Sequence, residues 1–307
     1  MRNQSIFFRR TTCFLINKTF NHKPLFLFVG WLNRKLPFLE TVYLGYSADP
    51  AYINHYASPN SGYVQKGKWS PFLAGIFKQN GKWGLKFFVS STEEEFVGRE
   101  NKDNLKLLAE HLEKIRQTTG ASQKTFAGIL PGVLYKNRII HTMEESEVAV
   151  ATVCKAISIV RELEHYPENV PLIILGGKGF IGRRVIKNLA GREVYCVDKD
   201  GEDHVSSSWP EHLTGQKAIL INISRKFVLS HYIPYIWDSL VLLNEVYPEP
   251  SQEEVQAFTA KGGAIYHIAG IEGKSYPSFP NAYANAIPCS AAWKSDNMQV
   301  VLKKLSH

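Results

Sequence analysis

The stretch "IILGGKGFIGRRVIKNL", residues 173–189, joins a strand-like apolar run to a helix-like run through a glycine-rich turn. Gly177, Gly179 and Gly182 have the spacing G-x-G-x-x-G. In such a turn the first glycine permits a sharp bend, the second leaves space for a pyrophosphate, and the third lets helix and strand pack closely. We therefore predict a dinucleotide-binding loop with the phosphates at the helix N-terminus. The other members of this predicted loop are Lys178, Phe180 and Ile181.

An acidic residue stands where the second part of such a site requires one. The apolar run "REVYCVD" ends at Asp198, 21 residues after Gly177 (198 − 177). A carboxylate at this place accepts hydrogen bonds from the hydroxyls of the adenosine ribose and repels a 2′-phosphate. NAD is therefore the predicted cofactor. Arg183 and Lys199 are close enough in sequence to leave NADP open as an alternative.

The residues around the glycine loop alternate between strand-like and helix-like runs. One helix-like run begins with a capping box formed by Ser251 and Glu254. Nearly continuous apolar strands with intervening helices are typical of a parallel sheet that is covered on both faces. The predicted fold class is thus α/β, with a Rossmann-type parallel sheet domain preceded by a smaller α/β domain. The strand-like runs are "PLIIL", "REVYCVD", "KAILINIS", "LVLLNEVY" and "AIYHIAGI".

The first half of the chain has shorter strand-like runs separated by turn signals. "PLFLFVGWL" (24–32) and "LETVYLGYS" (39–47) are predicted strands, and a helix with a buried apolar stripe is predicted over 101–120. A second helix is predicted from Thr142. The predicted divisions are a basic, poorly ordered N-terminus (1–23), an N-terminal α/β domain (24–141), the dinucleotide-binding domain (142–290) and a C-terminal helix packing back on the N-terminal domain (291–307).

Composition narrows the class of protein. The 307 residues are 44% hydrophobic and 21% charged, which is enough apolar content for a sizeable core. The apolar run over 24–32 is far shorter than the roughly 20 residues of a membrane-spanning helix. The cysteines show no metal-ligand spacing, so we predict no metal site and a reduced, cytoplasmic protein. They are Cys13, Cys154, Cys196 and Cys289.

The formal net charge of +8 is concentrated in part at the N-terminus, where the first 35 residues contain no Asp or Glu. No nucleic-acid-binding motif accompanies these charges, so we predict no nucleic-acid partner. Peripheral contact with a membrane surface remains open, and so does homo-oligomer formation. The basic residues are Arg2, Arg9, Arg10, Lys18, Lys23, Arg34 and Lys35.

The order of these segments resembles that of a group of two-domain NAD(P)-dependent enzymes, which includes shikimate dehydrogenases, methylene-tetrahydrofolate dehydrogenases and cyanobacterial long-chain acyl-carrier-protein reductases. "TFAGILPGV", the helix from Thr142, "GGKGFIGRRV" and "LVLLNEVYPEP" follow the order of the acyl reductases. "ANAIPCSAAW" is similar to the proline-containing start of the returning helix in the folate enzymes. The resemblance, over residues of about 125 to 300, implies a Rossmann domain that faces an N-terminal α/β domain across a cleft.

The resemblance does not extend to catalytic residues. The stretch "GIEGKSYPSFP" lacks the cysteine on which the acyl reductases form a thioester. The Lys/Asp pair of the shikimate dehydrogenases also has no match. The substrate is therefore not carried over from any of these families.

Ligands of open α/β sheets bind beyond the carboxyl ends of the strands, where the sequence places several polar candidates. Asn222 and Ser224 are predicted to serve the cofactor, with a turn-stabilising asparagine as the alternative. Asn244 and Glu245 interrupt an apolar run. Glu245 is a candidate proton acceptor or a group that orients the nicotinamide amide, with a strand end that has reached solvent as the alternative. His267 is a candidate acid–base residue, or else a hydrogen-bonded core histidine. Cys289, at a predicted helix start, is either a reactive thiolate or a small buried hydrophobe.

A polar and aromatic segment of the first half, "SPNSGYVQKGKWSP", adds Lys66, Lys68 and Trp69 as candidates for the substrate site. These patterns predict an NAD(P)-dependent oxidoreductase that transfers hydride to or from a small-molecule or acyl substrate in an interdomain cleft. Two other classes stay open. One is a non-catalytic NAD-sensing protein, and the other is a partner of membrane-bound lipid-modifying enzymes that docks through its basic N-terminus.

Overall fold

The structure is a computed structural model that describes residues 2–47, 53–58, 61–65, 67–198, 208–280, 283 and 286–306. Two of the predicted residues, Lys66 and Lys199, lie outside the described residues. The chain forms two compact units. The first consists of Met1–Val148 and Ile271–Met298, and the second of Ala149–Gly270 and Gln299–His307.

Helices and strands alternate along much of the described chain. The helices are α1 (Arg2–Phe20), α2 (Lys23–Lys35), α3 (Gly62–Gln65), α4 (Glu93–Val97), α5 (Lys102–Thr119), α6 (Leu130–Lys136), α7 (Glu144–Leu163), α8 (Phe180–Asn188), α9 (Val228–Tyr232) and α10 (Gln252–Thr259). The strands are β1 (Leu39–Tyr46), β2 (Phe72–Gln79), β3 (Lys82–Val89), β4 (Gln123–Phe126), β5 (Leu172–Leu175), β6 (Val194–Val197), β7 (Ala218–Asn222), β8 (Leu240–Asn244), β9 (Ala264–Ile271), β10 (Lys274–Tyr276) and β11 (Val300–Lys304).

The first unit contains a mixed sheet with the order β10-β2-β3-β1-β4. β2 pairs antiparallel with β10 and β3, whereas β1 pairs parallel with β3 and β4. Alternation along β3 sends neighbouring side chains to opposite faces. Phe87 packs in a core cluster with Leu108 of α5, and Phe88 packs in a second cluster with Tyr56 and Phe72. Both faces of this sheet are therefore covered.

Helix α5 forms where the sequence predicts a helix. Its apolar stripe is buried against the sheet, and Gly120 ends the helix in the left-handed conformation at φ 67°. Glycine adopts this conformation without the steric penalty that other residues suffer. The stripe, which confirms the prediction, consists of Leu105, Leu108, Leu112 and Ile115.

The second unit contains a sheet with the order β11-β9-β8-β7-β5-β6. β6, β5, β7, β8 and β9 pair as parallel neighbours. β5, β7 and β8 are buried along their whole length, as expected of parallel strands with both faces covered. The chain runs from β5 to β6 on one side and then to β7 on the other, so the order reverses beside β5. The predicted α/β class is confirmed.

The N-terminus differs from the prediction of a poorly ordered tail followed by a strand, because residues 2–35 form α1 and α2. Side chains of α1 occupy the part of the β2 edge that β10 leaves unpaired. The Asn17 side-chain oxygen accepts a hydrogen bond from the Leu73 N–H (2.9 Å), and the Cys13 thiol donates to the Ala74 carbonyl (3.4 Å). These long-range bonds hold a helix whose own sequence shows only weak periodicity.

The predicted strand over 24–32 is part of α2. A continuous apolar run fits either a strand or a helix, and tertiary packing decides between them. Here Phe26, Gly30 and Asn33 recur at helical spacing and are buried. A Cβ on Gly30 would lie 2.0 Å from the carbonyl oxygen of Thr118, so glycine lets α2 approach α5 closely.

The predicted C-terminal helix over 291–307 is wrong. Residues Val300–Lys304 form β11, and the Leu305 N–H beyond it donates to the Ile265 carbonyl (2.9 Å). The adjacent β-branched Val300 and Val301 favour a strand, because branching at Cβ restricts side-chain rotamers in a helix. Cys289 also does not begin a helix, since it lies in a turn closed by hydrogen bonds to the Pro288 carbonyl.

Candidate functional site

The glycine loop connects the buried strand β5 to α8. Gly176 has a φ of 92°, which favours glycine, and its Cβ would lie 2.8 Å from the Ile223 carbonyl oxygen. The sharp bend therefore falls on Gly176, one residue before the position that the motif spacing indicates. Gly177 has a different role, because a Cβ there would lie 2.4 Å from Sγ of Cys196 on β6. The two adjacent glycines in the sequence, Gly176 and Gly177, are the signal both for the sharp bend and for the close contact with β6.

The remaining two glycines of the motif differ in what surrounds them. A Cβ on Gly182 would lie 2.2 Å from the Gly176 carbonyl oxygen, so this glycine permits α8 to pack on the loop. A Cβ on the exposed Gly179 would meet one described atom within 4 Å, the Gly176 carbonyl oxygen at 3.0 Å. The space beside Gly179 is thus largely free of described protein atoms, as a phosphate-binding turn requires.

Asp198 lies beside the glycine loop. It follows β6 directly, and its carboxylate accepts a hydrogen bond from the Lys178 N–H (2.8 Å). The parallel pairing of β5 with β6 brings both carboxyl ends to the same edge of the sheet. The loop and the acid, 20 residues apart in sequence (198 − 178), are therefore in direct contact.

The first turn of α8 faces the same edge. Its first N–H groups have no acceptor within the helix and carry a partial positive charge. Lys178 and Arg183 are exposed, while Phe180 and Ile181 are half-buried. The Arg184 guanidinium lies 4.1 Å from the centre of the Phe180 ring. This end of the helix is therefore electropositive and suited to an anionic ligand.

A polar ladder crosses three neighbouring strands at their carboxyl ends. Asn222 of β7, Asn244 of β8 and His267 of β9 are in register and fully or almost fully buried. The Asn222 amide donates to Oδ1 of Asn244 (2.7 Å), and the Asn244 amide contacts Nδ1 of His267 (3.0 Å). The Ser224 hydroxyl donates to Oδ1 of Asn222 (2.6 Å). Three strands thus satisfy one another's buried polar groups.

The ladder fixes the protonation of His267. The Asn244 amide also donates to the Val246 carbonyl (2.8 Å), so its nitrogen is the donor toward the imidazole and Nδ1 accepts. The proton then rests on Nε2, which is buried and has no partner among the described residues. Burial, followed by the charge of Lys303, lowers the pKa of His267 to about 3. This histidine is neutral at physiological pH.

Glu245 follows the ladder directly. Its N–H donates to the Asn222 carbonyl (3.0 Å), which continues the pairing of β8 with β7. Burial raises the pKa of the Glu245 carboxyl to about 7. Among the described residues nothing donates a hydrogen bond to this carboxyl. A half-buried acid that titrates near neutral pH can accept or release a proton under physiological conditions.

Cys289 belongs to the first unit and the glycine loop to the second. Cys289 is half-buried and is not part of a disulfide. Because it does not begin a helix, no helix dipole stabilises a thiolate there. Two other candidates of the first unit have structural partners: Lys68 pairs with Glu95, and Trp69 packs edge-on against Phe96.

Two further residues shape this site. Asn244, which together with Glu245 interrupts an apolar strand in the sequence, joins Asn222 to His267. Gly176, which was not among the predicted site residues, makes the bend of the loop. No cluster of three or more His, Cys, Asp or Glu residues within the described ranges could hold a metal ion.

No protein-family model matches this chain, and no curated protein sequence matches it. Among the described helices, none combines the length and the apolar character needed to cross a membrane.

Proposed function

We propose that the second unit is a Rossmann-type domain that binds NAD, and that the chain is an NAD-dependent oxidoreductase. The observation that carries the proposal is the hydrogen bond from the Lys178 N–H to the Asp198 carboxylate (2.8 Å). It joins the glycine turn and the acid that follows the next strand, the two parts that a dinucleotide site needs. NADP is the secondary candidate, because the exposed Arg183 is available to a 2′-phosphate.

The sheet topology supports the same place for the ligand. Open parallel sheets bind ligands at the carboxyl ends of strands where the strand order reverses. Here the order reverses between β5 and β7. The glycine loop follows β5, Asn222 is the last residue of β7, and Ser224 lies just beyond it. The space beside Gly179 and the electropositive start of α8 lie at the same edge, so the donor set fits a pyrophosphate.

The chain's own residues divide into binding and proton-transfer groups. The N–H groups at the start of α8 would hold the pyrophosphate, and Asp198 would accept from the ribose hydroxyls. Glu245 would hold or release the proton that accompanies hydride transfer, because its pKa is raised by burial to about 7. A bound nicotinamide supplies the hydride chemistry. A small-molecule or acyl compound is the proposed substrate class.

The test is fluorescence titration of the chain with NADH and with NADPH. We expect NADH to bind more tightly, and Gly179→Val to weaken NADH at least about 100-fold because the side chain fills the pyrophosphate space. Asp198→Ser should weaken NADH and narrow its advantage over NADPH.

Gly132→Val is the matched control for Gly179→Val. Gly132 is also exposed, and a Cβ added there would meet no described atom within 4 Å. Gly132→Val should therefore leave the affinity for NADH unchanged. Because the Gly179 side chain would lie 3.0 Å from a carbonyl oxygen, melting curves must show that this variant is folded. Unaltered NADH affinity in folded Gly179→Val would refute the assignment.

A second candidate function is a non-catalytic NAD-binding protein on a membrane surface. Two observations favour it. His267 is neutral and inaccessible, which leaves Glu245 with little acid–base support. The outward faces of α1 and α2 are also unusually apolar. Their exposed side chains include Phe7 (62%), Phe8 (63%), Phe14 (47%), Leu15 (55%), Leu27 (49%), Phe28 (57%) and Trp31 (55%).

These two helices are more apolar outside than inside. Arg9, Cys13 and Asn17 recur on the buried face of α1, opposite the phenylalanines. No acidic residue precedes Glu40 in the sequence, whereas basic residues flank the apolar faces. Apolar faces bordered by basic residues bind anionic bilayers, since burial of aromatic rings adds to attraction by the headgroups. The proposed occupant is therefore an anionic lipid surface.

Sedimentation with phosphatidylserine vesicles tests this candidate. Binding should fall about 10-fold or more in Phe28→Ser/Trp31→Ser, and phosphatidylcholine vesicles should bind weakly. Leu107→Ser is the control, because Leu107 of α5 is equally exposed (62%) but lies away from α1 and α2 in sequence. Equal vesicle binding by all three chains would exclude this surface. Turnover of a substrate with NADH would favour the enzyme over the non-catalytic candidate.

A further inference from the structure

The first unit buries two cationic side chains together. Arg9 of α1 is 5% exposed and Lys86 of β3 is 1% exposed. Both donate to the segment that follows β10: Arg9 to the Ser278 hydroxyl (3.3 Å) and the Phe279 carbonyl (3.2 Å), and Lys86 to the Pro277 carbonyl (2.7 Å). The two cations therefore share one short stretch of chain.

The sheet is shaped to admit this segment. Gly75 of β2 pairs with Lys86 of β3, and a Cβ on Gly75 would lie 2.2 Å from the Tyr276 carbonyl oxygen. The Lys86 ammonium also lies 4.3 Å from the centre of the Phe279 ring. The Lys86 ammonium therefore lies between the Pro277 carbonyl, the Ser275 hydroxyl and the face of the Phe279 ring.

Neither cation has an anionic partner among the described residues. The remaining contacts of Arg9 and Lys86 are neutral as well: Arg9 contacts Nδ1 of His55 (2.8 Å), and Lys86 donates to the Ser275 hydroxyl (3.1 Å). Nε of Arg9 is buried and unpartnered within the described chain. Two buried positive charges without a counter-charge are strongly unfavourable, so they indicate a group that the chain does not supply.

We infer that Arg9 and Lys86 form a binding site for a small oxyanion, a carboxylate or a phosphate group. The Nε and Nη2 edge of a guanidinium matches two oxygens of such a group, and a lysine ammonium adds a third donor. Nε of Arg9 is free and the Nη2 bonds are long, so this edge can accept the ligand. His55 and Ser278, which both contact Arg9, are half-buried rather than fully buried.

This site goes beyond the proposed NAD site, because all of its residues belong to the first unit. A bound anion should also change the titration of Lys86. Burial lowers the pKa of Lys86 to about 7, the Cys13 thiol opposes this effect, and the charge of Arg9 adds to it. Anion binding favours the charged ammonium, so binding should take up a proton above pH 7 and weaken as the pH rises.

Among the described residues, the other titratable groups that face the pair keep their charge state unchanged near pH 7.5. Burial raises the pKa of the Cys13 thiol to about 11. Burial, followed by the charge of Arg9, lowers the pKa of His55 below its usual value of 6.5. Tyr43, which packs against the Phe279 ring, has a hydroxyl pKa that burial raises further above its usual range. Proton uptake near pH 7.5 can therefore be assigned to Lys86.

The experiment compares acetate, phosphate and chloride at equal ionic strength on the full chain at pH 6.5. Acetate or phosphate should raise the melting temperature of the wild type by several degrees at millimolar concentration, whereas chloride should not. Lys86→Met should lose this ion-specific shift. Lys78→Met removes an exposed lysine of β2 and should retain it. Whichever oxyanion gives the larger shift identifies the ligand's functional group.

Calorimetry of the wild type gives a second measurement that needs no variant. Titration with acetate, which is fully ionised at pH 7.5, in buffers of different ionisation enthalpy should show proton uptake on binding. Absence of an oxyanion-specific shift in the wild type, or an equal shift in Lys86→Met, would overturn the inference. A counter-charge supplied by the chain would also overturn it. Asp49 lies outside the described residues, and Asp49→Asn should leave the free energy of unfolding unchanged when no oxyanion is added.

Discussion

The two units each bury a cluster of polar side chains, and the clusters differ in how their hydrogen bonds are satisfied. In the second unit Asn222, Asn244 and His267 bond to one another across three strands and carry no net charge. In the first unit Arg9 and Lys86 are cations whose described acceptors are all neutral. Every described polar side-chain atom of the ladder except Nε2 of His267 has a hydrogen-bond partner. Arg9 and Lys86, in contrast, have no anionic partner among the described residues.

This difference separates a structural cluster from a ligand site. Neutral groups that satisfy one another rigidify a core and are expensive to break. Buried like charges oppose folding, and they are tolerated where an external anion compensates them. Glu245 is a third case: it is half-buried, and it has neither a charge partner nor a donor among the described residues. Substitution within the ladder should therefore lower stability, whereas neutral substitutes for Lys86 and Glu245 should raise it.

The largest expected effect is a loss of stability when the ladder is cut. Asn244→Ala leaves the Asn222 amide, the Val246 carbonyl and Nδ1 of His267 without their partner. Unsatisfied buried polar groups cost about 1–3 kcal/mol each, so we expect a loss of about 4 kcal/mol in the free energy of unfolding. Urea denaturation measures it. Asn188→Ala is the control, because Asn188 is exposed and bonds to one backbone carbonyl of its own helix.

A loss below about 1 kcal/mol for Asn244→Ala would mean that water replaces the ladder bonds, and the cluster would then be as open as a ligand site. The contrast between the two units would disappear.

The next effect has the opposite sign. Lys86→Met removes a buried charge and keeps the length of the side chain, so without added oxyanion it should stabilise the chain by about 2 kcal/mol at pH 6. The folded-state pKa of Lys86, lowered by burial to about 7, lies below the unfolded value of 10.5. Wild-type stability should therefore rise relative to the variant between pH 7 and 10.5.

Denaturation of wild type and Lys86→Met from pH 6 to pH 10 gives this difference directly. If the difference in the free energy of unfolding between the two chains stays constant over this pH range, Lys86 is charged throughout. If Lys86→Met is less stable than the wild type, the ammonium already has a compensating partner. Either result would remove the contrast with the ladder.

The parallel sheet and the glycine loop were predictable because local signals and long-range packing agree there. Apolar strands, a glycine doublet and an acid at the next strand end all indicate the same short-range geometry, as at Gly177 and Asp198. Pairing of adjacent strands then brings these residues together without further information. The burial of His267 was also a stated alternative, since a lone polar residue in an apolar strand needs partners.

The N-terminal helices and the cation pair were not predictable from local pattern. Helix α1 is held by Asn17 and Cys13, whose partners on β2 are more than 50 residues away. Arg9 and Lys86 are 77 residues apart (86 − 9), and each one alone is typical of a surface charge. The C-terminal β11 pairs with a sheet edge that the sequence pattern does not reveal, so Val300–Lys304 was assigned to a helix.

The smallest expected effect concerns Glu245, and it distinguishes a buried acid from both clusters. Burial raises the pKa of Glu245 from 4.5 to about 7. The folded state therefore holds this proton more tightly than the unfolded state, and its contribution to stability is present below pH 4.5 and lost as the pH rises through 7.

Glu245→Gln keeps the shape and carries no charge, so it should stabilise the chain by about 1–2 kcal/mol at pH 8 and by little at pH 5. Glu211→Gln, at an exposed position of the same unit, should show no such pH dependence. Denaturation at the two pH values tests both variants. If Glu245→Gln and the wild type have the same free energy of unfolding at pH 8, the carboxylate has a compensating hydrogen-bond donor. Glu245 would then belong with the satisfied ladder and would lose its proposed role in proton transfer.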